Sequence, residues 1–196
     1  GTPYAALERH AQRLDAEAIR DSLLFVSGRL DRHRGGKTIA LRNREFVFNH
    51  TSRDRTNYLN ERRTVYLPVI RNNVYDLMDL FDYPDPTTPS SDRATTTIAP
   101  QALLMLNSEL VFDSSKRLAL QLASEELSDD SARIKRAFFK TVSRPPSEHE
   151  VTNLRALLEK LRTSIGPIQA DAMNLNIQAW TLLCQTLLCS NEFAYI

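Results

Sequence analysis

Residues 129–161 read DDSARIKRAFFKTVSRPPSEHEVTNLRALLEKL, and their pattern decides the fold class. Ile134, Ala137, Phe138 and Val142 recur at helical spacing after the cap candidates Asp129, Asp130 and Ser131. Arg144-Pro145-Pro146 then breaks the chain, because proline lacks the amide hydrogen a helix interior needs. Ser147 and Glu150 form a capping box, each side chain serving the other's backbone N–H. A second stripe follows at Val151, Leu154, Leu157, Leu158 and Leu161. Two amphipathic helices joined by a short proline break predict an all-α bundle.

The neighbouring segments carry the same period. Residues 109–125 form an amphipathic helix, and a last helix spans about 174–190 with Ile177, Trp180, Leu183, Leu187 and Leu188. Gly166-Pro167 ends the helix before it. Residues 98–107 are apolar on nearly every side and read as a buried helix, with Thr97 as its N-cap and Pro100 in its first turn. Thr95 and Thr96 are expected to satisfy backbone groups where the chain turns inward. Asn107-Ser108 ends this helix and starts the next.

The N-terminal part predicts a helix over 3–27. Its stripe is Leu7, Ala11, Leu14, Ala18 and Phe25, widened by Ile19, Leu23 and Val26, and Gly28 follows as the C′ residue. Arg13, Glu17, Arg20 and Asp21 fall on the other face, with Arg13–Glu17 and Glu17–Arg20 at pairing distance. That face reads either as a solvated, salt-bridged surface or as a partly buried network fixing how the helix docks.

Residues 29–71 differ in texture and read as an irregular, partly extended insert. KTIAL and REFVFN alternate like short strands, and RTVYLPVIR over 63–71 is strand-like, demoted to an edge by Pro68. In 29–63, ten arginines and lysines face four acids. The sign then reverses at Asp76, Asp79, Asp82 and Asp85, within a short helix at 73–82 and the turn after it. The simplest expectation folds the basic segment over these acids. Solvated carboxylates and a weak Ca²⁺ or Mg²⁺ site are the alternatives, since hard cations want oxygen ligands. Residues 84–97, PDPTTPSSDRATTT, form a loop, and Arg93, Thr95 and Thr96 would line a substrate site only if they opened on a common pocket.

Composition narrows the function classes. The 196 residues suffice for one core, and 25 basic against 24 acidic side chains give a formal charge of +1, without the excess expected of a nucleic-acid binder. No run of about 20 apolar residues is present, so no membrane span is expected. Cys184 and Cys189 sit five apart on one helix, about 140° apart in direction, and are expected to be free thiols. His10, His33, His50 and His149 show no ligand spacing. No GxSxG, P-loop, GxGxxG or CxxCH motif occurs, and five glycines leave little for a phosphate-cradling loop. The start GTPYAALERH reads as a piece of a longer protein.

Six stretches, in order, add a resemblance. RLDAEAIRDSLLFVSGRLD, RRTVYLPVIR, LMDLFDYPDP, TTTIAPQALLMLNSELV, FFKTVSRPPSEHE and AWTLLCQTLLCSNEFAYI together resemble a planctomycete-type C-terminal domain of unknown function. Large exported proteins carry that domain together with a c-type cytochrome domain. The resemblance covers almost the whole chain, least clearly 34–60 and 166–175. It brings no activity and no catalytic residues. It implies an exported, periplasmic or cell-envelope setting, no cofactor in this domain, and haem on another domain of the same polypeptide.

These readings converge on one helical domain over 1–196, five to seven helices with the insert at 29–71, forming the C-terminal part of a larger multidomain protein. The expected role is a non-catalytic scaffold or interaction module docking neighbouring domains or a partner protein. The rivals are the substrate-binding part of an oxidoreductase or polysaccharide-degrading enzyme, and a carbohydrate- or cation-binding module using the acidic turn. No catalytic, cofactor or metal residue is assigned. The candidate interaction or polar-network residues are Glu17, Arg20, Asp21, Asp82, Asp85, Arg93, Thr96 and Asn107.

Overall fold

The computed structural model describes residues 12–36, 38, 60–69, 74–89, 93–165 and 172–196. Its helices are α1 (Ala16–Val26), α2 (Asp76–Leu80), α3 (Ala99–Asn107), α4 (Glu109–Ser124), α5 (Asp130–Val142), α6 (Glu148–Ser164), α7 (Ala172–Leu188) and α8 (Asn191–Ala194). Among the described residues there is no β-strand. Two isolated bridges, Arg13 with Tyr195 and Asp31 with Arg62, are the sheet-like pairings found there. The all-α bundle follows from the helical period of the sequence.

The 129–161 reading holds in detail. The Asp129 carboxylate accepts the Ala132 N–H at 2.7 Å, capping α5. Ser143 ends that helix in the left-handed region, φ 59°, before the two prolines. Ser147 and Glu150 make the reciprocal box at the start of α6, Ser147 N–H to the Glu150 carboxylate at 2.7 Å and Glu150 N–H to Ser147 Oγ at 3.3 Å. Arg144 clamps this corner, reaching Glu150 at 2.7 Å and Glu192 of α8 at 2.8 Å.

Two apolar clusters form the core. One joins α1, α2, the C-terminal half of α3, the start of α4 and α8 around Ile19, Leu23, Leu77, Met105, Val111, Leu188 and Phe193. The other joins α4, α5, α6 and α7 around Leu118, Leu122, Ile134, Phe138, Leu158, Trp180 and Leu183. α4 and α7 run through both, and Val26 packs against both. Cys184 is buried and Cys189 half-buried, and both are free thiols as expected. Burial pushes them up to about 12 and about 11, so neither is a ready thiolate.

Several local expectations are corrected. The first helix begins at Ala16, and residues 12–15 are extended: Leu14 N–H bonds Ala194 O at 2.7 Å. Its buried face is Ala16, Ile19, Arg20, Leu23 and Leu24, rotated from the expected stripe. Phe25 is exposed, with the Arg32 guanidinium 5.0 Å from its ring centre. Gly28 does take positive φ, +70°. Residues 63–71 begin as a 3₁₀ turn at Thr64–Tyr66 rather than a strand, and the short helix spans 76–80 rather than 73–82.

Ile98, not Thr97, is the cap residue of α3, and Gln101 Oε1 accepts the Ile98 N–H at 3.3 Å. That helix is not buried: Leu103 and Leu106 are 58% and 54% exposed. Gln101 and Met105 are the buried residues of that helix, so its apolar run is covered on one side only. The KTIAL stretch apart from Thr38, the REFVFN stretch, Gly166-Pro167 and the part of the first helix before residue 12 lie outside the described residues.

Leu118→Ala should destabilise the chain by about 2–5 kcal/mol, because Leu118 is fully buried between α4 and its partners. Leu103→Ala should cost about 0.5 kcal/mol or less. Urea unfolding of both variants checks the contrast, and similar costs would restore the buried reading of α3.

Candidate functional site: an arginine-carboxylate cleft beside the first helix

The site is built on α1. Arg20 stands in its apolar stripe, flanked by Ala16, Ile19, Leu23 and Leu24 at helical spacing, and is 1% exposed. Arg20 donates to Arg62 O at 2.9 Å, to Thr64 Oγ1 at 3.2 Å and to Asn60 O. Burial pulls the guanidinium below its ordinary value, with Tyr75 and Asp21 acting the other way. It stays charged, and the acceptors from residues 60–64 replace the water it has lost. At the next residue, Asp21 Oδ1 accepts the Thr64 N–H at 2.8 Å and the Thr64 hydroxyl at 2.6 Å. Segment 60–66 is thereby tied to α1.

The exposed edge of α1 then faces a cleft of about 520 Å³. Asp15, Glu17 and Asp21 stand on one wall, Thr64, Val65, Leu67 and Val69 on another, and Tyr75, Met78 and Tyr83 complete it. Arg93 closes one end. Its guanidinium meets Glu17 with two bonds, 3.0 and 2.8 Å, and Asp15 at 2.9 Å, and lies 5.7 Å from the Tyr83 ring centre. The bond to Glu17 raises the affinity of Arg93 for its proton, burial opposes, and Asp15 adds to the rise. Arg63 approaches Asp21 at 3.6 Å.

A second network adjoins the first through Asp15 and Arg13. Arg13 Nη2 donates to Asp82 at 2.6 Å and to Phe81 O at 3.3 Å, and Nη1 donates to Thr96 O. Asp82 also accepts the Thr96 N–H and hydroxyl, both at 2.8 Å. It holds φ +59°, a conformation that L residues rarely adopt, at the end of the α2 turn. Burial pushes the Asp82 carboxyl upward, but the Thr96 N–H, Arg13 and the Thr96 hydroxyl together bring it below 3.8. Gln101, buried at the start of α3, bonds Leu80 O at 2.8 Å and Thr96 O at 3.1 Å and so closes the junction.

Of the residues singled out in the sequence, Glu17, Asp21 and Arg93 line one cleft, and Arg20 lies beneath it. Asp82 and Thr96 belong to the adjoining network. Asp85 and Asn107 stand apart. Asp85 accepts the Thr87 N–H and hydroxyl at 2.8 and 2.6 Å within its own turn, and Asn107 bonds back to Leu103 O at 2.8 Å. The expected pairs Arg13–Glu17 and Glu17–Arg20 do not form, because both arginines reach across the fold. The partner of Asp82 is Arg13, not the basic segment. Among the described residues that segment pairs mainly with its own acids, Arg29 with Glu61 at 2.8 Å and Arg62 with Asp31 at 3.9 Å, and with Asp21 of α1. Arg42, Arg44, Arg53 and Arg55 lie outside the described residues. Thr95 and Thr96 do not line the cleft that Arg93 closes. Among the described residues no three His, Cys, Asp or Glu are placed to share a metal ion.

Arg13, Thr64, Tyr75 and Tyr83 were not among the sequence candidates. Arg20 had a legible signal, a cation at the centre of an i, i+3, i+4 stripe. Arg13 had none, since its partner is 69 residues away.

Comparison with known proteins gives one finding. Residues 4–158 match the family described as PSD1: Protein of unknown function (DUF1553), and the chain belongs to that family. No curated protein and no solved structure matches the chain.

Arg20→Met should cost roughly 3 kcal/mol by leaving two carbonyls and a hydroxyl without their donor, and should speed proteolysis within 60–66. Asp82 gives a pH signature. Its folded value lies below the unfolded one, so its contribution is full above the ordinary 3.8 and is lost as pH falls further. Asp82→Asn should be less stable at pH 7 and show a shallower loss of stability below pH 4, read by thermal melting across pH.

Proposed function

We propose that this member of the PSD1 family is an interaction module, non-catalytic by itself, that seats a neighbouring domain of its parent polypeptide in the cleft beside α1. The observation that carries this reading is the pairing of every carboxylate in that cleft. Asp15 and Glu17 are held by Arg93, and Asp21 by Thr64 with Arg63 nearby. A general acid or base must lie within hydrogen-bond reach of the proton it moves. These carboxylates are instead engaged by guanidinium and hydroxyl groups of their own chain.

The apolar lining supports the same reading. Val65 and Val69 are 73% and 50% exposed on the rim, with Met78, Tyr75 and Tyr83 beside them. Apolar and aromatic side chains around satisfied polar groups suit a protein contact, where area and shape are bound rather than a reacting bond. α3 offers a further surface of this kind. Its exposed Leu103 and Leu106 lie in the segment 94–108, which carries no charged residue.

The setting we propose follows the family resemblance: an exported, cell-envelope protein with haem, if any, on another domain. No helix in the described residues is long and apolar enough to cross a membrane.

Hydrogen exchange tests the docking. The amides of Val65, Leu67 and Val69 should exchange at least ten-fold more slowly in the full-length parent than in this chain alone. Val65→Asp with Val69→Asp should remove that difference. Equal rates in chain and parent would reject the reading, and a turnover lost in Glu17→Gln with the fold retained would replace it with an enzymatic one.

A further inference from the structure

On the other side of segment 60–66 lies a smaller hollow of about 380 Å³, lined by Leu30, Arg32, Arg34, Arg63 and Tyr66. Three of its five lining side chains are guanidinium groups. Arg32 and Arg34 have no carboxylate partner among the described residues. The nearby carboxylate, Asp31, is already engaged: it accepts the His33 N–H at 2.9 Å, lies 2.9 Å from His33 Nδ1 and faces Arg62 at 3.9 Å. Arg63 keeps its side chain 59% exposed beside Asp21.

The frame that carries these cations is held in place. Arg62 Nη2 donates to His33 O and Gly35 O, both at 2.6 Å, and its guanidinium lies 4.3 Å from the Tyr66 ring centre. The Asp31 N–H bonds Glu61 O at 2.8 Å, and the Thr38 hydroxyl bonds Tyr66 O at 2.7 Å. Gly35 takes φ +72° and gives its N–H to Tyr66 Oη at 3.2 Å. That bond uses the oxygen of Tyr66 as acceptor and leaves its O–H to donate.

We propose that this hollow binds a tetrahedral oxyanion, a sulfate or phosphate group, free or carried as an ester. Guanidinium forks match pairs of oxygens on such a group, and several forks with one hydroxyl suit an anion with three or four oxygens better than a carboxylate with two. Arg62, which holds the turn, gives its donors to carbonyls; Arg32 and Arg34 have no carboxylate partner among the described residues, and Arg63 has Asp21 at 3.6 Å. Nucleic acid fits poorly, because binding it without sequence preference needs open aromatic faces for base stacking. Among the described residues the rings beside the hollow already carry a cation, Arg62 on Tyr66 and Arg32 on one face of the exposed Phe25.

The test titrates the chain with sodium sulfate and with sodium phosphate, ionic strength held constant with sodium chloride. The readout is the NMR signals of the arginine side-chain N–H groups and the Gly35 and Tyr66 amides. Saturable shifts confined to Arg32, Arg34, Arg63 and these amides are expected. Saturation by sulfate alone assigns sulfate esters, and by phosphate alone phosphate esters. Arg32→Ala with Arg34→Ala should weaken binding at least ten-fold, and Arg155→Ala on α6 should leave it unchanged. Linear shifts spread over surface arginines, full affinity in the double variant, or a single-stranded oligonucleotide binding more tightly per phosphate than the free ion would each overturn the proposal.

Discussion

Removing a guanidinium from water is costly, and Arg20 stays buried because the chain supplies oxygens to replace the lost hydration. Those oxygens come from residues 60–64, about forty positions away in sequence. The demand runs both ways: the arginine needs the segment, and the segment has no core of its own. Asp21 adds two bonds to Thr64, so one helical turn of α1 fixes both the position and the direction of the chain that follows. Thr64 and Val65 then wall one cleft, Tyr66 walls the other hollow, and Arg63 lines both. Each candidate surface therefore depends on the same buried cation.

The second half of the molecule works differently. α4 to α7 are held by apolar burial around Trp180 and by local caps at Asp129 and Ser147. Polar contacts among those four helices join elements near one another in sequence, as with Arg162 to Asp130, 32 residues apart. Around α1 they are long, as with Arg13 to Asp82 and Arg93 to Glu17. The C-terminal bundle is thus suited to act as a platform, and the polar junction around α1 to present a specific surface.

This division explains what the sequence made legible. Caps and stripes are written within a few residues, so the helices from 109 onward and the Ser147 box could be read directly. The burial of Arg20 was written too, in its place among Ala16, Ile19, Leu23 and Leu24, but a charged side chain invites assignment to the wet face. Pairings such as Arg13 with Asp82 have no local signature, because helical spacing offers Glu17 as an equally plausible partner. The exposure of α3 was hidden for the opposite reason. An apolar run does not state how much neighbouring surface exists to cover it.

The partners of Arg20 carry one more consequence. Two of its acceptors are main-chain carbonyls, of Asn60 and Arg62. A carbonyl is the same group whatever side chain accompanies it. Substitutions at positions 60 and 62 therefore leave the seat of Arg20 chemically intact, whereas inserting or deleting one residue there would move both oxygens out of reach. Relatives of this chain should hold the length of that segment and the hydroxyl at position 64.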